Sequence, residues 1–291
     1  DMRPYMARLL GDDDGSKEEL PPLKLSVRLG RIIVEDNQYL DNMQGAAEFD
    51  GKTWLSLDAQ GDLQGGAPVD VSYSAGAEKS LVRVRSSNGG GVVRSMGIFE
   101  NAIGGNLSLD AEISETEKDR PMRGKVTLKN FRVVDAPTLS RILTVGSLQG
   151  VADILANNGI PFVQFEAPFL MANGIIRTRD ARAFGPSLGL TIEGAVDRNK
   201  SQVALQGTLV PAYTINSVLG NIPILGRLLV GGKGEGIFGL TYNVSGAISK
   251  PKVTVNPLSA LAPGPLRTLI FGSFPTTGDN DVTSPESQDK Q

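Results

Sequence analysis

Apolar and polar residues alternate along most of this 291-residue chain. Leu25, Val27 and Leu29 are interleaved with Lys24, Ser26 and Arg28, and Leu55, Leu57 and Ala59 with Ser56 and Asp58. Val69, Val71 and Tyr73 follow, then Val82 and Val84 against Arg83 and Arg85. The pattern continues through Leu107, Leu109, Ala111 and Ile113, through Val126 and Leu128, and through Val163, Phe165, Ala167, Phe169 and Met171. Leu188, Leu190, Ile192 and Val196 come next, then Val203, Leu205 and Leu209, then Phe238, Leu240, Tyr242, Val244 and Ile248, and finally Val253 and Val255. A period of two gives a strand one apolar and one polar face. Turn signals separate the runs, at Asp50-Gly51, Gly65-Gly66, Asn88-Gly89-Gly90-Gly91 and Gly104-Gly105. The pattern predicts roughly a dozen strands in an antiparallel meander with one wet face.

Three helical insertions break this grammar. In 136–158, Leu139, Ile142 and Leu143 form one stripe and Leu148, Val151 and Leu155 another, out of phase across Gly146. In 214–230, Ile215, Val218, Leu219 and Ile222 precede Pro223, and Leu225, Leu228 and Leu229 follow it. In 257–271, Pro263-Gly264-Pro265 separates the start at Asn256-Pro257 from Leu266, Leu269 and Ile270. Residues 1–22, with Asp12-Asp13-Asp14 and Pro21-Pro22, read as a linker and the end of a preceding segment. Residues 273–291 read as a disordered polar tail. Asp1-Met2-Arg3-Pro4 reads like the interior of a longer protein.

Composition narrows the chemistry. The chain has no His and no Cys, which removes imidazole bases, thiol nucleophiles, Cys/His zinc sites and disulfides. Carboxylate, Ser/Thr, Lys and Tyr chemistry remains. Net charge is −3, no basic block points to nucleic acid, and the few aromatics are scattered. No run is apolar enough for a membrane-spanning helix, so any membrane anchor is expected outside this chain.

The short motifs reduce to their plain readings. Gly234-Glu235-Gly236-Ile237-Phe238-Gly239 fits GxGxxG, but it follows a helical segment and opens a strand, the reverse of a dinucleotide fingerprint. The sequons at Asn106, Asn199 and Asn243 are short matches, two of them inside expected strands. Arg177, Arg179 and Arg182 around Asp180, and Arg83 with Arg85, read as solvated faces, with contact to lipid phosphates as the functional alternative. No acid–base or nucleophile arrangement stands out, so the chain is read as no enzyme, without metal or cofactor.

From Val133 onward the chain resembles the C-terminal region of AsmA-like proteins, closest to the YhdP-type branch. The resemblance is carried by VDAPTLSRILTVGSLQGVADILANNGIPF, by LVPAYTINSVLGNIPILGRLLVGG and by GEGIFGLTYNVSGAISKPKVTVNPLSALAPGPLR. Residues 23–132 share the style of the family's upstream strands without a sharp motif. The resemblance implies a bacterial envelope protein, held in the inner membrane by an N-terminal helix and projecting through the periplasm. It implies a long sheet curled, taco-like, into a groove with an apolar lumen that moves phospholipid toward the outer membrane. It implies no catalytic residues.

The expected fold is therefore mainly β: a curled antiparallel groove over 23–272 with short broken helices near its C-terminal end. Candidates for contact with phospholipid acyl chains are Leu107, Leu109, Val126, Leu128, Val163, Phe165, Phe169, Leu190, Ile192, Val203, Leu205, Phe238, Leu240, Tyr242 and Val244. Candidates for capping the groove are Leu139, Leu143, Leu219, Ile222, Leu225, Leu228, Leu266 and Leu269. The second reading is a structural or assembly module whose apolar helices dock an envelope partner protein or the outer membrane surface.

Overall fold

A computed structural model describes residues 21–35, 38–64, 66–95, 99–146, 148–211 and 239–256, leaving aside the side chains of 33–35 and 38. These residues form one sheet of thirteen antiparallel strands in strict sequence order, with strands 1 and 13 at opposite edges. They are β1 Leu23–Glu35, β2 Gln38–Phe49, β3 Trp54–Leu63, β4 Ala67–Ser74, β5 Lys79–Ser86, β6 Ala102–Ser114 and β7 Met122–Val133. After these come β8 Ile160–Ala172, β9 Ile175–Phe184, β10 Leu188–Asp197, β11 Gln202–Pro211, β12 Leu240–Ala247 and β13 Lys252–Asn256. The expected meander is present, and the sheet stays open.

Three short helices interrupt it among the described residues: α1 Gly89–Ser95, α2 Pro137–Val145 and α3 Gln149–Asn157. All three connect strands at the same end of the sheet, between β5 and β6 or between β7 and β8. The opposite end carries short connections, such as 50–53, 75–78 and 198–201. The expected break at Gly146 separates α2 from α3. Although α2 springs from β7, it packs against β13, and Gly146 touches the Leu240 side chain on β12. The sheet therefore curls, bringing its last strands back over the α2–α3 pair.

Helix α1 corrects the sequence reading, which took Asn88-Gly89-Gly90-Gly91 for a turn. Asn88 caps it: the Gly91 amide donates to Asn88 Oδ1 at 3.0 Å, and the Val92 amide to the Asn88 carbonyl at 3.1 Å. The glycines allow a close approach. A Cβ on Gly90 would stand 2.6 Å from the Ala102 carbonyl oxygen, and one on Gly89 2.8 Å from Leu107 Cβ. The helix therefore lies flush on β6, with Val92 buried. Packing outweighs the poor helix propensity of three glycines.

The core lies on the apolar face at the helical end. Leu143, Ile160, Leu188 and Leu209 are fully buried there, and Phe131 stacks on Phe162 with ring centroids 5.3 Å apart. Residues 1–20, 212–238 and 257–291 lie outside the described residues. So do the expected linker up to residue 20, the helical insertions 214–230 and 257–271, the polar tail, most of the GxGxxG stretch, and Phe238, Leu219, Ile222, Leu225, Leu228, Leu266 and Leu269.

Candidate functional site: the apolar face of the sheet

Directly opposed residues on neighbouring strands share a face. Following the pairings across the sheet therefore tells which side chains lie together. One row reads Gly61, Val69, Ser86, Leu107, Leu128, Phe165, Ala183, Leu190, Leu209 and Leu240, from β3 to β12. A parallel row reads Val27, Gly45, Ala59, Val71, Val84, Leu109, Val126 and Ala167, from β1 to β8. Strands lie about 4.8 Å apart, so the first row covers about 43 Å of sheet. Its one hydroxyl is satisfied: Ser86 Oγ donates to the Pro68 carbonyl at 2.8 Å.

The candidates divide by burial. Leu107, Leu128, Leu240, Tyr242 and Val244 are buried in the core, as is Leu143 from α2, with Leu139 packed partly buried against it. Leu109, Val126, Phe165, Phe169, Leu190, Ile192, Val203 and Leu205 are half-buried on the same face. The first group holds the helical end together. The second group is open to contact.

Val163 is a correction. It is 48% exposed, while Phe162 beside it is buried at 3%. The alternation skips a beat in three adjacent strands along one row. Asn130 on β7 has φ +57° and Gly105 on β6 φ +84°, and Val163 on β8 lies between the paired positions Lys129↔Gln164 and Phe131↔Phe162. Two successive residues turn outward in β7 and β8, and Phe131 and Phe162 then return to the apolar face. Leu55 is displaced in the same way: Trp54 is buried opposite Phe49 and Leu55 is 39% exposed, beside the register shift at Phe49.

The other face is charged. Lys24 pairs with Glu48 at 2.8 Å, Arg31 with Asp41 at 2.7 Å, Lys79 with Glu112 at 2.8 Å and Arg85 with Asp110 at 2.6 Å. Arg83, Arg85, Arg177 and Arg182 all sit on this polar face, with Arg182 on Asp180 at 2.6 Å. These arginines point away from the apolar rows. A shallow depression of about 540 Å³ crosses β1 to β5 on the polar side, where Ser26, Ala46 and Ser72 are short and Arg28, Gln44, Gln60 and Arg85 stand beside them.

One polar constellation on the apolar side escaped the sequence reading. Ser80 is fully buried and donates from Oγ to Glu115 at 2.5 Å, while Tyr73 Oη donates to Ser80 Oγ at 3.2 Å. Arg120 grips the same carboxylate with two bonds of 2.9 and 2.8 Å. Burial pushes the Glu115 pKa up, but the bonds from Arg120 and Ser80 outweigh it and hold the group below its ordinary value. A buried serine whose hydroxyl donates its hydrogen bond to an arginine-held carboxylate is tied up within the fold, and the cluster reads as a latch for the 115–121 loop. The signal was long-range, joining β4, β5 and a loop, and no spacing carries it. Among the described residues no group of three His, Cys, Asp or Glu side chains is placed to hold a metal, and no helix is long and apolar enough to cross a membrane.

No family model matches the chain, and neither a curated protein nor a solved structure shows significant similarity to it.

Proposed function

We propose that the chain is a non-enzymatic module that binds phospholipid and conducts it along the apolar face of its curled sheet, as an AsmA-like, YhdP-type protein would in the bacterial envelope. The observation that carries this reading is the apolar row from Val27 on β1 to Ala167 on β8, whose members are all half-buried and so open to contact. A lipid tail in water costs about 0.8 kcal/mol per CH₂, so a 16-carbon chain costs on the order of 12 kcal/mol. A path for it has to stay apolar along its whole length. A row of directly opposed residues running across the strands supplies that continuity, and small residues such as Gly45, Ala59 and Ala167 leave room beside the tails. In this reading the module is periplasmic, within a larger protein anchored by a helix outside this chain.

Photo-crosslinking offers the direct test. A crosslinker at Leu109 or Leu205 is expected to capture phospholipid in cell envelopes, and one at Asp110 or Gln206, on the opposite face, is not. Equal capture on both faces, or none at Leu109 and Leu205, overturns the proposal. The docking alternative has its own observation: Val145 is 55% exposed on α2 and Ile154 39% exposed on α3. A stable protein complex lost with Val145→Asp, without lipid at Leu109, favours that reading.

A further inference from the structure

We infer that an acyl chain crossing β9 to β12 leaves the middle of the sheet and runs beside the short connections, over Met122, Met171, Ile176, Val196 and Val203. The inference rests on the lipid reading and deepens it by naming the route past the helical core. The row from Val27 to Ala167 ends at β8, and the apolar face of the next strand is covered: Ala181 and Ala183 on β9 are exposed by only 1% and 6%. Beyond them Leu188, Leu209 and Leu240 are buried in one cluster with Leu143 of α2 and Leu155 of α3. Leu190 is half-buried there, but its paired neighbours Ala183 and Leu209 are buried, so it offers a tail no continuous contact.

A second row stays open. Met122, Met171, Ile176, Val196, Val203 and Gly246 are directly opposed from β7 to β12, and all six are half-buried. Two strands join it to the first row. Val126, Gly124 and Met122 on β7 lie opposite Ala167, Phe169 and Met171 on β8, and these six are half-buried too. Alternate residues of a strand keep to one face, so this ladder is a passage between the rows. Four residues of strand separate them, a sidestep of about 13 Å. The second row lies where 173–174 and 198–201 join the strands, at the end opposite α2 and α3. The helical core fills one half of the face and leaves the other half to a ligand. Met122 opposite Met171 suits the turning point, because an unbranched thioether side chain adapts its shape to what it touches.

Photo-crosslinkers placed one at a time in the whole chain test the route, with vesicles of phosphatidylethanolamine radiolabelled in its acyl chains as the probe. Capture is expected at Leu109, Ile176 and Val203, and much less at Leu190. Val196→Asp should lower capture at Val203 by roughly tenfold while capture at Leu109 persists, which also reports that the variant is folded. Capture at Leu109 with none at Ile176 and Val203 overturns the inference and leaves the lipid reading standing. Capture at Leu190 equal to that at Val203 does the same, since the tail then crosses the helical core. Capture at Val203 that ignores Val196→Asp overturns the route as well. Absence of capture at Leu109, Ile176 and Val203 alike removes the lipid reading, and the route with it.

Discussion

Tyr242 ties together strands that do not pair with each other. The β10–β11 ladder skips Thr191 and Ile192, which leaves the Thr191 carbonyl in need of a donor. Tyr242 on β12 reaches over the bare Gly207 of β11 and donates its hydroxyl to that carbonyl at 2.6 Å. Burial raises the phenol's pKa far above its ordinary value, so it remains a donor. Tyr242→Phe is expected to cost about 1–3 kcal/mol, because a part-buried carbonyl loses its partner; urea unfolding measures it. Gly207→Ala should cost about as much by overpacking, since a Cβ there overlaps the Thr191 carbonyl and stands 2.7 Å from Tyr242 Oη. Glu115 gives a pH signature at the same scale. Its pKa is lowered on folding, so its contribution is present above the ordinary value of 4.5 and is lost as pH falls below it. Thermal melts from pH 6 to pH 3 should show a loss of stability below about pH 4.5 that Glu115→Gln flattens.

Elements were legible wherever large aliphatics mark every second position. Strands β6, β10 and β11 follow Leu107/Leu109, Leu190/Ile192 and Leu205/Leu209 as read. Strand β2 was missed because Gly45 and Ala47 hold its apolar face with almost no side chain. Strand β9 was missed because its alternation breaks between Arg177 and Ala181, where the register to β8 and β10 shifts. The α2–α3 pair was legible from two out-of-phase leucine stripes. Helix α1 was not, since its reason for existing is the surface of β6 and not its own sequence. That difference can be measured. Leu143→Ala on α2 should cost about 2–5 kcal/mol, for Leu143 is completely buried. Asn88→Ala should cost about 1 kcal/mol through the lost cap of α1. Of the candidate site, the shared face was readable from period two. The split between core and open positions was not, because it depends on where the helices lie.

Across the whole molecule, stability is unevenly distributed. The core gathers α1, α2 and α3 with β6 to β12, and from β1 to β5 it includes only Leu63 and Val69. Hydrogen exchange is therefore expected to show slow amides in β6 to β12 and faster ones in β1 and β2, in at least two kinetic groups. Uniform protection from β1 to β12 would contradict this distribution. The strict sequence order of the strands has a further consequence, for the birth of the protein. Among the described residues each strand pairs only with its neighbours in the chain, so none of these strands has to wait for a distant segment before it can add to the growing edge. A polypeptide emerging end-first, from a ribosome or through a membrane pore, can lay this sheet down hairpin by hairpin. The late step is the return of β12 and β13 over the α2–α3 pair, so a chain stopped after β11 should already carry an ordered sheet with α1 in place on β6 while the α2–α3 pair stays exposed to a protease.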